Sequence, residues 1–222
     1  MSGMTHSNAS DYDRFTAQVE SEFDLCHPLA LTMKANSMDT PNWHQAMNGL
    51  DSDGYWQAME LELETLLGKD AWTEVDDHMN VLPSTWAFKC KRFPDGLVRK
   101  LKARFCVRGD CQIDGVDVFD TYAPVVSWTT IRLLLILSIV LSLANKQVDY
   151  TAAFVQAELD EGERVYVDTP RGFPQAGHVL QLRRALYGLK QSPRTWFEHL
   201  KSKLETVGFN QSHSDACLFY KD

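Results

Sequence analysis

The stretch STWAFKCKRFPDGLVRKLKARFCVRG, residues 84–109, constrains the fold more than any other part of this 222-residue chain. Asp95-Gly96, preceded by Pro94, is a hairpin turn signal, because glycine supplies the backbone conformation such turns require. In the first arm Trp86, Phe88 and Cys90 alternate with Lys89 and Lys91. In the second, Leu101, Ala103 and Phe105 alternate with Lys100, Lys102 and Arg104. A period of two puts the apolar set on one face of the ribbon and the cations on the other. Such a ribbon suits phosphate binding; the alternative is an edge hairpin whose lysines prevent aggregation. The density of positive charge favours phosphate.

Charge is distributed to match. The formal net charge of −8 alone points to a soluble acidic protein with no nucleic-acid partner. Yet residues 1–80 hold 3 basic and 15 acidic side chains, whereas residues 86–108 hold 8 basic and 1 acidic, and residues 178–203 hold 6 basic and 1 acidic. Two basic blocks in an acidic chain are a polyanion footprint or a pair of solvated faces, and either block alone favours the solvated face.

The rest of the chain supplies helices and a second hairpin. Residues 1–50 are polar and read as a mobile leader. Residues 51–82 read as a leading helix and a connection, with Trp56, Met59, Leu63, Leu66 and Leu67 on one helical face, N-caps at Asp51–Asp53 and a stop at Gly68. The run LLLILSIVLSLA, residues 133–144, is too short to cross a membrane and reads as a buried core helix, capped by Thr129 or Thr130 and running to about Asn145. KQVDY, with Asp149, follows as a strand, and residues 151–160 as a turn or short helix. RVYVDTP (164–170) and HVLQL (178–182) read as a second hairpin. Residues 192–208 read as a helix with Pro193 in its first turn, Gly208 at its end, and Trp196, Leu200, Leu204 and Val207 as its buried stripe. Five cysteines without Cys-x-x-Cys spacing point to reduced thiols in an intracellular protein, and no histidine lies near Cys106 and Cys111 to support a zinc site. No targeting segment is evident at the N-terminus.

Six stretches, in order, carry a family resemblance: WAFKCKRFPDG, RKLKARFCVRGDCQIDGVDVFDTYAPVVSWTTIRLLL, QVDYTAAFVQAELDE, VYVDTPRGF, ALYGLKQSPRTW and DACLF. Together they resemble the reverse transcriptase domain of copia-type retrotransposon polyproteins over about residues 53–219. The resemblance implies an α+β fold, polymerase fingers and palm built of antiparallel strands packed on helices, with fingers and an incomplete palm in residues 83–222. It implies template-directed DNA synthesis on an RNA or DNA template with a primer, from deoxynucleoside triphosphates, with two Mg²⁺ (or Mn²⁺) ions held by aspartates. It implies an intracellular protein of the cytoplasm or a virus-like particle, with no membrane partner.

By position, Asp149 matches the first metal-binding catalytic aspartate, with Tyr150 beside it. Phe154 matches the aromatic that stacks under the sugar and excludes a 2′-hydroxyl. Tyr187 and Gly188 match the stretch bordering nucleotide and template. Lys89, Lys91, Lys102 and Arg104 match the basic residues that hold the triphosphate. Read without the resemblance, Asp149 is a strand-end charge, Phe154 a core aromatic and Tyr187-Gly188 an ordinary turn. The family's Tyr-x-Asp-Asp turn, which supplies two more carboxylates after DACLF, has no counterpart before Asp222. The expectation is therefore a truncated palm that does not polymerise alone. A non-catalytic nucleic-acid-binding module and a relic without function are the rival readings.

Overall fold

The computed structural model describes residues 39–76, 80–93, 95–173 and 178–221. The chain divides at residue 40, and every element below belongs to the unit Pro41–Asp222. The expected leader over 1–38, together with Pro94 of the hairpin turn, lies outside the described residues. Residues 43–48, within the segment read as leader, form a helix instead: α1 (Trp43–Asn48). Asn42 caps it, its side chain accepting from the Gln45 amide while the Gln45 side chain accepts from the Asn42 amide, both at 2.9 Å.

Helix α2 (Ser52–Leu67) follows, with Asp51 at its N-cap position. Its buried face is Tyr55, Met59 and Leu66, with Trp56 and Leu63 packed partly against the core. Leu67, expected inside, is 55% exposed. It lies about 100° round the helix from Leu66, beyond the stripe that Tyr55 and Met59 define.

The long ribbon is β3 (Ser84–Arg92) paired antiparallel with β4 (Val98–Val107). Trp86 stands opposite Phe105, Phe88 opposite Ala103, Lys89 opposite Lys102 and Lys91 opposite Lys100. The turn closes through the Gly96 amide to the Phe93 carbonyl and the Phe93 amide to the Leu97 carbonyl, both 2.9 Å. The apolar face drives the fold. Phe105 is fully buried, with the Trp86 and Trp72 rings 5.6 and 5.9 Å away. Tyr55 of α2 meets Phe88 edge-on at 5.1 Å. Burying a phenylalanine side chain stabilises by roughly 1.5–3 kcal/mol, so this aromatic cluster is what holds the ribbon on α2.

A four-stranded sheet stands beside it: β1 (Trp72–Asp76), β2 (Val81–Leu82), β5 (Tyr166–Val167) and β6 (His178–Leu182), in the order β1-β6-β5-β2. The second hairpin is present, with Tyr166 opposite Gln181 and Val167 opposite Leu180. β1 was not anticipated; it pairs antiparallel with β6 from within the stretch read as a connection.

A buried amide clamp ties the loop after β4 to the C-terminal helix α4 (Ser192–Thr206). Gln112 donates to the Gln191 side chain at 3.1 Å and accepts from the Lys190 amide at 2.8 Å. On α4, Ser192 and Thr195 are buried, Trp196, Leu200 and Leu204 half-buried, and Val207, expected in the stripe, exposed. A two-stranded ribbon, β7 (Asn210–Gln211) with β8 (Phe219–Tyr220), ends the described chain.

Two further expectations are overturned. Helix α3 (Trp128–Val140) forms from the apolar run, but it is shorter than expected and buries none of its residues. Ser127 rather than Thr129 or Thr130 is the N-cap. A helix apolar all round needs cover on every side, and the described residues supply none to Leu133–Leu137, all exposed. Residues 143–150, expected to include a strand at KQVDY, have no regular structure and are exposed throughout. A strand's hydrogen bonds belong to its neighbour, and no described strand lies beside this segment. No described helix is long and apolar enough to cross a membrane.

Candidate active site

The outer edge of β4, the side away from β3, organises the site. The Val107 amide points off that edge and donates to the Tyr187 carbonyl at 2.8 Å. Two residues earlier the Phe105 amide points the same way and meets the Glu62 carboxylate of α2. Glu62 and Tyr187 thus hang on one strand edge, two residues apart.

Between them lies a cleft of about 410 Å³. Lys102 and Arg104 line it from β4, Glu62 from α2, Asp149 and Tyr150 from the irregular segment, and Tyr187 from the turn before α4. The Arg104 guanidinium sits over the Tyr187 ring, 5.1 Å from its centroid. Phe154, in a single 3₁₀ turn over Phe154–Gln156, also meets Tyr187, its ring 5.1 Å away and edge-on. Tyr150 packs edge-on against Trp196 of α4 at 5.2 Å. Arg104, Tyr187 and Phe154 thus form a chain of contacts from three separate stretches of chain.

Of the nine sequence-derived site residues, five line the cleft: Lys102, Arg104, Asp149, Tyr150 and Tyr187. Phe154 supports it from behind Tyr187. Lys89 and Lys91 do not line it; they are exposed on β3, opposite Lys102 and Lys100, and extend the same cationic face. Gly188 acts through its backbone. Its φ is +93°, and a Cβ there would run into the Val107 carbonyl, so only glycine lets the Tyr187 turn approach β4 so closely.

Electrostatics follow the geometry. Burial pushes the Glu62 carboxyl above its usual range, offset in part by the Phe105 amide, then by Arg104 and Lys102. Desolvation, then the crowding of Lys91, Arg104 and Lys100, holds the Lys102 ammonium below its ordinary value. Burial raises the Tyr187 phenol, and lifts the neighbouring Cys106 thiol to about 11. The cleft is a cationic site with one carboxylate, Glu62, set into its wall and another, Asp149, at its mouth.

Glu62 escaped the sequence reading. Glu60, Glu62 and Glu64 look alike in a helix, and only the docking of α2 on β4 sets Glu62 apart. Three of the six basic residues of the second block, Arg184, Lys190 and Arg194, are paired with carboxylates in place. Lys190 pairs with Asp114 at 2.8 Å, Arg194 with Asp160 at 2.8 Å and Asp120 at 3.1 Å, and Arg184 with Glu158 at 3.3 Å.

The residues present fit a divalent ion poorly. Among the described residues, no three of His, Cys, Asp and Glu gather closely enough to hold a metal. Asp149 with waters is a weak site for Mg²⁺, which takes carboxylate oxygens in near-octahedral geometry.

The profile of the reverse transcriptase (RNA-dependent DNA polymerase) family matches residues 69–222. Among curated relatives, the retrovirus-related Pol polyprotein from transposon RE1 of Arabidopsis thaliana is 34% identical over 199 residues, covering 87% of this chain. That from transposon TNT 1-94 of Nicotiana tabacum is 34% identical over 170 residues, covering 74%. The Ty1-H Gag-Pol polyprotein of Saccharomyces cerevisiae is 31% identical over 183 residues, covering 76%. The chain spans 13%, 13% and 10% of the lengths of these relatives. No solved structure matches it. With a family match over residues 69–222 and polyprotein relatives of the copia type along most of its length, the chain belongs to the reverse transcriptase family.

Proposed function

We propose that the cleft between α2 and β4 binds the triphosphate of a deoxynucleoside triphosphate for template-directed DNA synthesis on a primed RNA or DNA template. The observation that carries this reading is the convergence of Lys102, Arg104, Asp149, Tyr150 and Tyr187 on one cleft from three stretches of chain. Lys102 and Arg104 contact the phosphates, with Lys89 and Lys91 extending the cationic track along the ribbon. Arg104 is braced by the Tyr187 ring, which fixes its planar fork for phosphate oxygens. The Tyr187 ring offers the surface on which a sugar rests, and Phe154, packed against it, sets that ring's position.

Family members use divalent ions. This chain offers Asp149 as one ligand, and the donor set among the described residues falls short of a two-ion site, so their contribution is to bind and orient. Primer extension by the chain alone is therefore expected to be undetectable.

The test is binding of inorganic tripolyphosphate, followed calorimetrically. Lys102→Glu reverses one charge in the cleft and is expected to weaken binding about tenfold or more. Unchanged affinity in Lys102→Glu overturns the phosphate reading. A second reading, a nucleic-acid-binding module without catalysis, draws on the solvent-facing row Lys89, Lys91, Lys100 and Lys102. It requires salt-sensitive binding of a template–primer duplex that Asp149→Asn leaves unaltered.

A further inference from the structure

Glu62 is an odd residue for a phosphate cleft. It lies in the third turn of α2, in the wall of the cleft, facing Lys102 and Arg104. Its Oε1 is buried and accepts no hydrogen bond. Neither Lys102 nor Arg104 closes an ion pair with it. A carboxylate kept for stability in such a place would be expected to take one of the cations within reach, since an unpaired buried acceptor costs free energy. Glu62 instead leaves both cations pointed at the cleft and acts on them through space. Around it stand the Phe105 amide, the Cys106 thiol and the Tyr187 phenol, with Lys100 further along β4, and one other carboxylate, the exposed Asp149, lines the same cleft.

We propose that Glu62 is a specificity-determining counter-charge in the cleft, which lowers its affinity for polyphosphate anions in proportion to the charge the anion carries. The inference rests on the cleft being the phosphate site. The repulsion between one fixed carboxylate and a bound anion scales with the anion's charge, so Glu62 acts weakly on orthophosphate and strongly on tripolyphosphate. Without it, the row Lys91, Lys100, Lys102 and Arg104 would hold any highly charged polyanion. With it, the cleft takes a polyphosphate loosely enough to exchange it. A Glu62 that only braced α2 on β4 would have no such dependence on ligand charge.

The experiment measures calorimetric dissociation constants for orthophosphate, pyrophosphate and tripolyphosphate, in a chelating buffer without divalent ions. It compares the wild-type chain with Glu62→Gln, which keeps an acceptor for the Phe105 amide, and Glu62→Met, which keeps only the bulk. Both variants are expected to tighten tripolyphosphate about five- to tenfold, pyrophosphate less and orthophosphate no more than about twofold, as a charge interaction requires. Agreement between the two neutral variants ties the effect to charge, and either one alone reads it if the other fails to fold. Unchanged constants, weaker binding, or the same factor for all three anions would each overturn the proposal. Lys102→Glu separates the two levels: if it too leaves tripolyphosphate binding unchanged, the cleft is not the phosphate site. If it weakens binding while the Glu62 variants change nothing, only the counter-charge fails.

Discussion

Gly188→Ala tests whether the cleft depends on a single close approach of backbone to backbone. Gly188 has φ +93°, and the preceding Tyr187 carbonyl accepts from the Val107 amide at 2.8 Å. A Cβ on Gly188 would run into the Val107 carbonyl, and a Cβ on Gly109 would run into the Gly188 carbonyl. The turn before α4 and the end of β4 therefore cross with no room for a methyl group on either side. Left-handed backbone costs a non-glycine residue roughly 1–2 kcal/mol. Overpacking a tight site costs typically ~1–3 kcal/mol. Gly188→Ala carries both terms and is expected to cost about 3 kcal/mol. Gly109→Ala lacks a positive φ, carries only the second, and is expected to cost about 2 kcal/mol by the same overpacking rule.

Urea unfolding, read through fluorescence of the buried Trp72 and Trp86, measures both values. In a domain of this size the loss at Gly188 corresponds to a fall in midpoint temperature of roughly 6–12 °C. The double variant should cost less than the two singles together, by about 0.5 kcal/mol or more, because the first methyl group already opens the crossing the second would clash with. Because Tyr187 braces Arg104, the Gly188 variant should also bind tripolyphosphate more weakly under native conditions. A Gly188→Ala chain within about 0.5 kcal/mol of wild type, the ordinary range for surface substitutions, would refute the close-approach argument and with it the account of how Tyr187 reaches the cleft.

Two further outcomes follow from groups outside the cleft. The Asp215 carboxylate accepts from Thr130 Oγ1 at 2.6 Å and from the Ser127 amide at 3.0 Å, fastening the start of α3 to the loop before β8. Those bonds, with the Cys217 amide, hold its pKa at about 2. A depressed carboxylate stabilises above its unfolded value and loses that contribution as pH falls toward the folded one. Amide exchange at residues 127–130 should therefore stay protected to about pH 4, the ordinary aspartate range, and rise toward pH 2. In Asp215→Asn it should be fast at neutral pH, and protection independent of both would remove the anchor. The Cys106 thiol, lifted to about 11 by burial, should alkylate far more slowly at pH 8 than the exposed Cys111. Equal rates, by mass spectrometry of the labelled peptides, would show Cys106 to be open.

The sequence made the ribbon legible because every signal there agrees: the turn residues, the period of two, and the contrast between aromatics and lysines. Residues 84–92 and 98–107 form as read, in the register that sets Lys89 opposite Lys102. The cleft was legible only in part. Lys102 and Arg104 stood out by alternation, Asp149, Tyr150 and Tyr187 only by a family resemblance, and their meeting depends on turns that no local pattern announces. Glu62 was invisible, because its role depends on which strand edge α2 covers. β1 was missed because Trp72–Asp76 is short and its partner β6 lies about a hundred residues on. The second basic block was left open between a polyanion footprint and a solvated face. Counting charges cannot show that Asp114, Asp120 and Asp160 come from elsewhere to neutralise Lys190 and Arg194.

The departures at the apolar helix and at KQVDY share one physical cause, and they differ in outcome. Residues 128–140 and 146–150 both carry residues suited to a buried place: a run of leucine and isoleucine in one, Val148 and Tyr150 flanking Asp149 in the other. The first forms its element and the second does not. A helix satisfies its amides within itself, so α3 closes its turns although Leu133, Ile136 and Ile139 remain exposed. A strand has nothing to pair with but a neighbour, and no described strand adjoins 143–150, so the segment stays irregular. Its apolar pattern records the surroundings for which the residues are suited, while its conformation records the partners at hand. Asp149 is affected most directly. It reaches the cleft mouth through the turn at residues 151–153, and Tyr150 against Trp196 is the side-chain contact that fixes its neighbourhood. A metal ligand must hold its carboxylate in place against the ion's demand for fixed geometry. An aspartate on an unpaired segment does so poorly, whatever its identity. That is why the cation row of the ribbon, locked by paired strands and an aromatic core, carries the binding reading of this site further than its carboxylate does.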